Sequence, residues 1–152
     1  MNIRKNSLSI ISWIITIFLQ ILLPQALVFF LWMIISQVAL PDENTWGRWL
    51  ILLFLIMIGF ILGIILSGWV GFRLRRSPQP ILLRARIFTT STGVVLPLLV
   101  LILMGSIIAP GNRTDFSEMI LTNWQPKLSI AALGMGLLGF YLPDWLLSKP
   151  SE

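Results

Sequence analysis

Four long stretches without a charged residue constrain the fold of this chain more than any other feature of its sequence. A helix needs roughly 20 mostly apolar residues to cross a hydrocarbon core of about 30 Å. Within the second stretch, Leu50 to Ile56 are continuously apolar, whereas a transmembrane β-strand would alternate apolar and polar residues. The sequence therefore predicts four membrane-spanning helices. The four stretches are 6–41, 49–72, 87–112 and 128–143.

The composition agrees with this prediction, since 57% of the 152 residues are hydrophobic and 11% are charged. A soluble domain carries about 25% charged residues, so an ordinary soluble fold is excluded. We predict an all-α, polytopic membrane protein with one domain over 1–152, a small bundle of four transmembrane helices. The predicted spans are 8–40 with a kink at Pro24, 49–72, 87–109 and 128–147, joined by a basic loop at 73–86 and an outer interfacial helix at 114–124.

The first stretch is too long for a simple crossing, because residues 8–40 would extend about 50 Å as one straight helix. It can form a single tilted span that is kinked at Pro24, which we favour, or an interfacial helix followed by a shorter span. Ser12, Thr16 and Gln20 recur every four residues and suit either a buried helix face or a wetted interface. The run is also much longer than the 7–15 apolar residues of a signal peptide, so we expect it to remain as an anchor.

The basic residues predict the orientation of the spans, since short loops rich in Lys and Arg stay in the cytoplasm. If both termini and the middle loop lie on one side, eight basic residues collect there and three lie opposite. The eight are Arg4, Lys5, Arg73, Arg75, Arg76, Arg84, Arg86 and Lys149, and the three are Arg48, Arg113 and Lys127. The sequence therefore predicts cytoplasmic N- and C-termini.

The middle loop carries five arginines and no acidic residue. We expect it to set the topology and to contact anionic lipid headgroups, where each basic residue contributes about 1 kcal/mol. A docking site for an acidic protein partner or for a bound phospholipid is the alternative. Nucleic-acid binding is not expected, because no aromatic residues are interleaved with the arginines. The predicted lipid or partner contacts are Arg73, Arg75, Arg76, Arg84 and Arg86.

Small residues define two predicted helix-packing faces. In lipid, small residues spaced by four let a second helix approach closely and are a main determinant of helix association. The face on the second span is a seam inside this chain or a contact to another subunit, and the face on the fourth span is its plausible mate. The two faces are Gly59, Gly63, Ser67 and Gly71, and Ala132 and Gly136 with the neighbouring Gly139.

The connection before the fourth span predicts a short helix over 114–124 that lies on the membrane surface. Asp115 can serve as its N-cap, with Glu118 three residues later in a capping-box arrangement. Phe116, Met119 and Ile120 then share one apolar side.

Residues that support catalysis are missing from the predicted spans. The chain has no histidine and no cysteine, and none of its Asp, Glu, Lys or Arg residues falls in the central part of a span. We therefore predict no catalytic residue, cofactor or metal site, and no enzymatic activity.

The four short spans resemble the plan of small multidrug transporters, but those carry a carboxylate in the first span where this chain has Gln20 and Gln25. Asp144 is expected to form a salt bridge with an arginine of the basic loop.

Two functions remain. The first is an accessory, assembly or scaffolding subunit of a larger membrane complex, with lipids and either other membrane subunits or further copies of itself as partners. The alternative is a small transporter or channel component without a titratable intramembrane residue, arranged around Gln20, Gln25 and the cluster 89–92. The expected location is a bacterial-type inner (plasma) membrane or a thylakoid-like membrane.

Overall fold

The computed structural model describes residues 3–37, 45–75, 81–108 and 125–147, and this part of the chain is helical throughout apart from a turn at Arg75. Each helix is long and apolar enough to cross a membrane, as the sequence predicts. The helices are α1 (Ile3–Gln37), α2 (Thr45–Leu74), α3 (Ile81–Ile108) and α4 (Gln125–Leu147). The predicted interfacial helix at 114–124 lies outside the described residues, as does Arg76.

The long first stretch forms one helix of 35 residues that continues through Pro24. Proline lacks a backbone N–H and therefore removes one hydrogen bond from a helix interior. Pro24 is buried against α2 beside Gly63, and packing of this kind lets transmembrane helices tolerate a proline. The structure thus has a single long helix here and not two helices divided at Pro24.

The predicted basic loop at 73–86 was too long, because the helices on either side extend into it. Arg73 lies in the last turn of α2, and Arg84 and Arg86 lie in the first two turns of α3. The sequence prediction assigned the arginines to the loop and therefore made both helices too short at this end. Arginine is a good helix former, and its long side chain can reach a polar boundary from within a helix.

Consecutive helices run antiparallel, and α2 is the central helix of the bundle. It contacts α1 on one side and α3 and α4 on the other, while α3 and α4 pack closely together. Within an apolar window of each span, 44% of α2 is buried but only 17% of α1, so α1 is the least covered helix. The core consists of Ile56, Phe60, Ile64, Val94, Ala132 and Phe140.

Candidate functional site

The glycine ridge of α2 faces α1. A Cβ atom added to Gly63 would lie 2.5 Å from the Cα atom of Pro24, and one added to Gly59 would lie 2.5 Å from Cγ2 of Val28. A Cβ atom at Gly71 would collide with Thr16 in the same way. The ridge therefore forms a seam within the chain, in which α1 lies too close to α2 to admit larger side chains at these glycines.

Ser67 completes this ridge without presenting a polar group to α1. The residue is buried, and its hydroxyl donates to the carbonyl oxygens of Gly63 at 2.5 Å and Ile64 at 3.1 Å. Such back-bonding satisfies a serine hydroxyl within its own helix. Ser67 therefore acts as a small residue in the seam.

The small residues of α4 pack mainly against α3, so their expected pairing with the glycine ridge was wrong. Cβ atoms added to Gly139 and Gly93 would meet the carbonyl groups of Thr89 and Met135 across the α3–α4 boundary. At Gly136 an added Cβ would lie 2.6 Å from Cγ2 of Val94 of α3 and 2.7 Å from Cδ1 of Ile64 of α2. Because α1 covers the ridge of α2, α4 contacts a different side of α2.

Gly68 lies on the side of α2 that α4 contacts, and the sequence prediction did not include this residue. The ring of Phe140 lies over Gly68, where an added Cβ atom would collide with it. Gly68 is one residue beyond the i+4 ridge, so a search for small residues at that spacing passes over it. This close fit places Phe140 of α4 inside the bundle, near the end where α2 ends and α3 begins. We call this end of the bundle the arginine end.

Arg86 lies at the centre of the arginine end. Its side chain is 2% exposed and forms an ion pair with Asp144, the kind of pairing that the sequence predicts. Its Nη1 atom also donates to the carbonyl oxygen of Phe140 at 3.3 Å. Burial of a charge is costly unless it is paired and hydrogen-bonded, and both conditions are met here.

Aromatic rings enclose the same guanidinium group. The Cζ atom of Arg86 lies 4.2 Å from the ring centroid of Phe72 and 5.1 Å from that of Phe140. The two rings are stacked with their centroids 5.9 Å apart. A cation within about 6 Å of an aromatic face is attracted by the ring quadrupole, so Arg86 joins α2, α3 and α4.

Arg75 makes the corresponding connection between α2 and α1. Its Cζ atom lies 3.8 Å from the ring centroid of Trp13, and 5.4 Å from that of Phe72. Desolvation lowers the pKa of the Arg75 guanidinium from its usual value, although arginine remains charged in proteins. Its Nη1 atom is buried and has no hydrogen-bond partner among the described residues.

A hydrogen bond joins α1 to α4 next to these arginines. The hydroxyl of Tyr141 donates to Oε1 of Gln20 at 2.6 Å, and Gln20 is fully buried. The ring of Tyr141 also lies 5.9 Å from that of Trp13. The polar stripe of α1 is thus a bundle face at Thr16 and Gln20, both buried. We call the residues that meet here the arginine–aromatic cluster: Trp13, Gln20, Phe72, Arg75, Arg86, Phe140, Tyr141 and Asp144.

The predicted lipid-contact arginines divide into different environments. Arg73 is exposed and lies 5.5 Å from the ring centroid of Trp69, and Arg84 is exposed as well. Arg75 is half-buried, and the burial of Arg86 removes it from the set that headgroups can reach. Charge alone could not separate these residues, because the difference depends on which helix face each one occupies.

The hydroxyl groups near the start of α3 do not form a shared polar site. Thr89, Ser91 and Thr92 each donate to a carbonyl oxygen four residues earlier in their own helix, at 2.8, 2.7 and 2.9 Å. Thr90 is buried, and its hydroxyl has no partner among the described residues. Three of the four hydroxyl groups are therefore satisfied within α3.

A cavity of about 590 Å³ lies between α1, α2 and α4, towards the opposite end of the bundle. We call it the α1–α4 groove. Its lining is mainly apolar, with Gln25, Arg48 and Ser129 as the polar contributors. α1 and α4 meet at the arginine end through Gln20 and Tyr141, and the groove separates them farther along. The sequence analysis does not predict this groove, because its existence depends on how two helices diverge.

Metal ligation needs several suitable side chains in one place, and the described helices bring together no group of three His, Cys, Asp or Glu residues. Comparison of the whole chain with protein-family models, with curated proteins and with solved structures gives no match.

Proposed function

We propose that this chain is a non-enzymatic, multi-pass integral membrane protein that serves as an accessory, assembly or scaffolding subunit of a larger membrane complex. The proposal places both termini and the arginine end in the cytoplasm, in a bacterial-type inner (plasma) or thylakoid-like membrane. The observation that carries it is that the two arginines that enter the bundle contact other helices of the same chain. Arg75 contacts α1, and Arg86 contacts α2 and α4.

The contacts of Arg86 suit a structural role. A guanidinium that is 2% exposed, paired with Asp144 and placed between two aromatic rings is held by three helices at once. Groups that relay protons or bind ions in membranes are titratable and face a cavity or a partner. Arginine does not release its proton in proteins, and this one is enclosed by the helices that it joins.

α1 is the element that we propose to contact the partner subunit. It uses one narrow face against α2, and large apolar side chains such as Ile14, Phe18 and Phe30 are exposed on the remainder. Close packing with a second transmembrane helix stabilises association in lipid. Arg73 and Arg84, exposed at the arginine end, are the residues that we propose to contact anionic headgroups.

Purification in a mild detergent, followed by mass spectrometry, tests the proposal. We expect a partner subunit in fixed stoichiometry with the chain. Phe18→Ala on α1 should reduce its recovery, whereas Phe88→Ala on α3 is the matched control, since these two phenylalanines are 61% and 73% exposed. Recovery of the chain alone, as a monomer or a pure oligomer, would overturn the proposal. Equal recovery with both variants would show that α1 is not the contact.

A transporter or channel component is the second candidate, and one observation favours it. Gln25 lies near the middle of the span Ser9–Gln37 and lines the α1–α4 groove. An amide at that depth can donate hydrogen bonds to a polar solute and accept hydrogen bonds from it. Purified protein in liposomes, assayed with a panel of solutes against protein-free liposomes, tests this function. Flux that is lost in Gln25→Leu would support it.

A further inference from the structure

We infer that the α1–α4 groove binds one phospholipid molecule, with the phosphate at Arg48 and one acyl chain along α2. This inference rests on the proposed insertion of the helices into a membrane. It concerns the opposite end of the bundle from the basic residues that we propose to contact headgroups. Three properties of the groove support it: its length, its lining and the position of its single charge.

The length of the groove matches one leaflet of a bilayer. Its α2 wall is a stripe of Arg48, Leu52, Ile56 and Phe60, which are spaced by four and therefore share one helix face. From Arg48 to Phe60 the helix rises about 18 Å at 1.5 Å per residue. Half of a hydrocarbon core of about 30 Å is roughly 15 Å. An acyl chain that starts at Arg48 would therefore end near Phe60.

The walls of the groove are suited to a hydrocarbon chain. Val28, Phe29 and Trp32 of α1 face Ile130 and Leu133 of α4 across it. The volume of about 590 Å³ is within the range of about 300–1,000 Å³ that is typical of ligand pockets. A lining that is mainly apolar suits an acyl chain better than a polar solute.

The charge lies where a phosphate would be. Arg48 precedes the span Leu50–Leu74 by two residues and so lies at the boundary of the apolar region. A guanidinium binds phosphate through two parallel hydrogen bonds. It has five N–H donors and can serve a phosphate in addition to the contact that Arg48 makes within the chain.

Gln25 distinguishes a lipid from a protein helix as the occupant. It lines the groove near the middle of the α1 span, where an acyl chain has no hydrogen-bonding group. A partner helix in the groove would instead use this amide as an interhelical contact. Replacement of Gln25 by leucine should therefore leave lipid binding intact, but it should weaken the binding of a helix.

Native mass spectrometry of the detergent-solubilised full chain, titrated with palmitoyl-oleoyl phosphatidylglycerol, tests the inference. We expect one lipid per chain, and no retention of inorganic phosphate alone. Arg48→Gln should weaken binding by about tenfold, because a charge-assisted hydrogen bond is lost, whereas Lys127→Gln is the control at an exposed basic residue that does not line the groove. Ser129→Trp should fill the groove and abolish binding. Ala131→Trp, on an exposed position of the same helix, should not.

Equal lipid binding by Ser129→Trp and Ala131→Trp would overturn the inference, as would a second protein chain in the groove that Gln25→Leu displaces. Circular dichroism and elution volume identify a variant that does not fold. In that event Ile130→Trp, at an exposed lining position, replaces Ser129→Trp. Carbonate extraction separates the two proposals: a chain that stays in the membrane but binds no lipid refutes only the groove site.

Discussion

Arg86 of α3 and Asp144 of α4 form an ion pair whose two partners differ sharply in burial. The guanidinium side chain is 2% exposed and the carboxylate side chain 41% exposed. Because arginine cannot become neutral in a protein, the buried partner depends on the contacts around it. The ion pair, the carbonyl oxygen of Phe140 and two aromatic rings supply those contacts.

Asp144→Asn should therefore destabilise the bundle by about 1–3 kcal/mol, the usual cost of removing a partner from a buried hydrogen-bonded group. Thermal unfolding in detergent micelles measures the change. Arg84→Gln, which removes an exposed charge from α3, the helix of Arg86, should have little effect. The double variant Arg86→Met with Asp144→Asn should recover part of the loss, because no buried charge is then left unpaired. A stable Asp144→Asn variant would contradict the structural role of the pair.

Gly63→Leu should destabilise the α1–α2 seam by at least about 2 kcal/mol, as overpacking does. An added Cβ atom would lie 2.5 Å from the Cα atom of Pro24, and backbone cannot move aside as a flexible side chain can. Gly134→Leu is the matched control, because an added Cβ atom there has no neighbour within 4 Å. It should be neutral or stabilising, since glycine is about 1 kcal/mol poorer than alanine within a helix. Similar unfolding temperatures for the two variants would refute the close approach.

Tyr141→Phe should reduce stability by about 0.6 kcal/mol and by no more than about 1.7 kcal/mol, the average and the maximum measured for hydrogen bonds between transmembrane helices. The change removes the donor to Gln20, which is fully buried. A double-mutant cycle with Gln20→Leu measures the coupling between the two side chains. Strictly additive effects would show that the hydrogen bond contributes nothing to stability.

The predicted orientation can be tested with single cysteines, since the native chain has none. Gln37→Cys at the end of α1 should react with a membrane-impermeant maleimide in intact spheroplasts. Leu74→Cys at the end of α2 should react only after the membrane is permeabilised. The expected difference follows from the excess of basic residues on the side of the arginine end. The reverse labelling pattern would mean that the arginine end faces outwards.

The number of helices and their approximate positions could be predicted from the sequence, while their ends could not. A backbone in lipid must satisfy its own hydrogen bonds, so each uncharged stretch becomes a helix whatever its neighbours are. The residue pattern did not determine where the helices end, because arginines such as Arg84 and Arg86 are compatible with either a loop or a helix. The i+4 spacing of Gly59 and Gly63 likewise identified a packing face but not the helix that covers it.

The sequence by itself therefore determined the four apolar helices and the surplus of basic charge at one end. Only the tertiary structure decided that Arg86 is buried rather than presented to headgroups, that α1 covers the glycine ridge, and that a groove opens between α1 and α4. The physical reason is that hydrophobicity and hydrogen bonding act along each helix and appear in its residue pattern. Burial depends instead on how helices rotate and diverge, for which a close fit such as Phe140 over Gly68 is decisive.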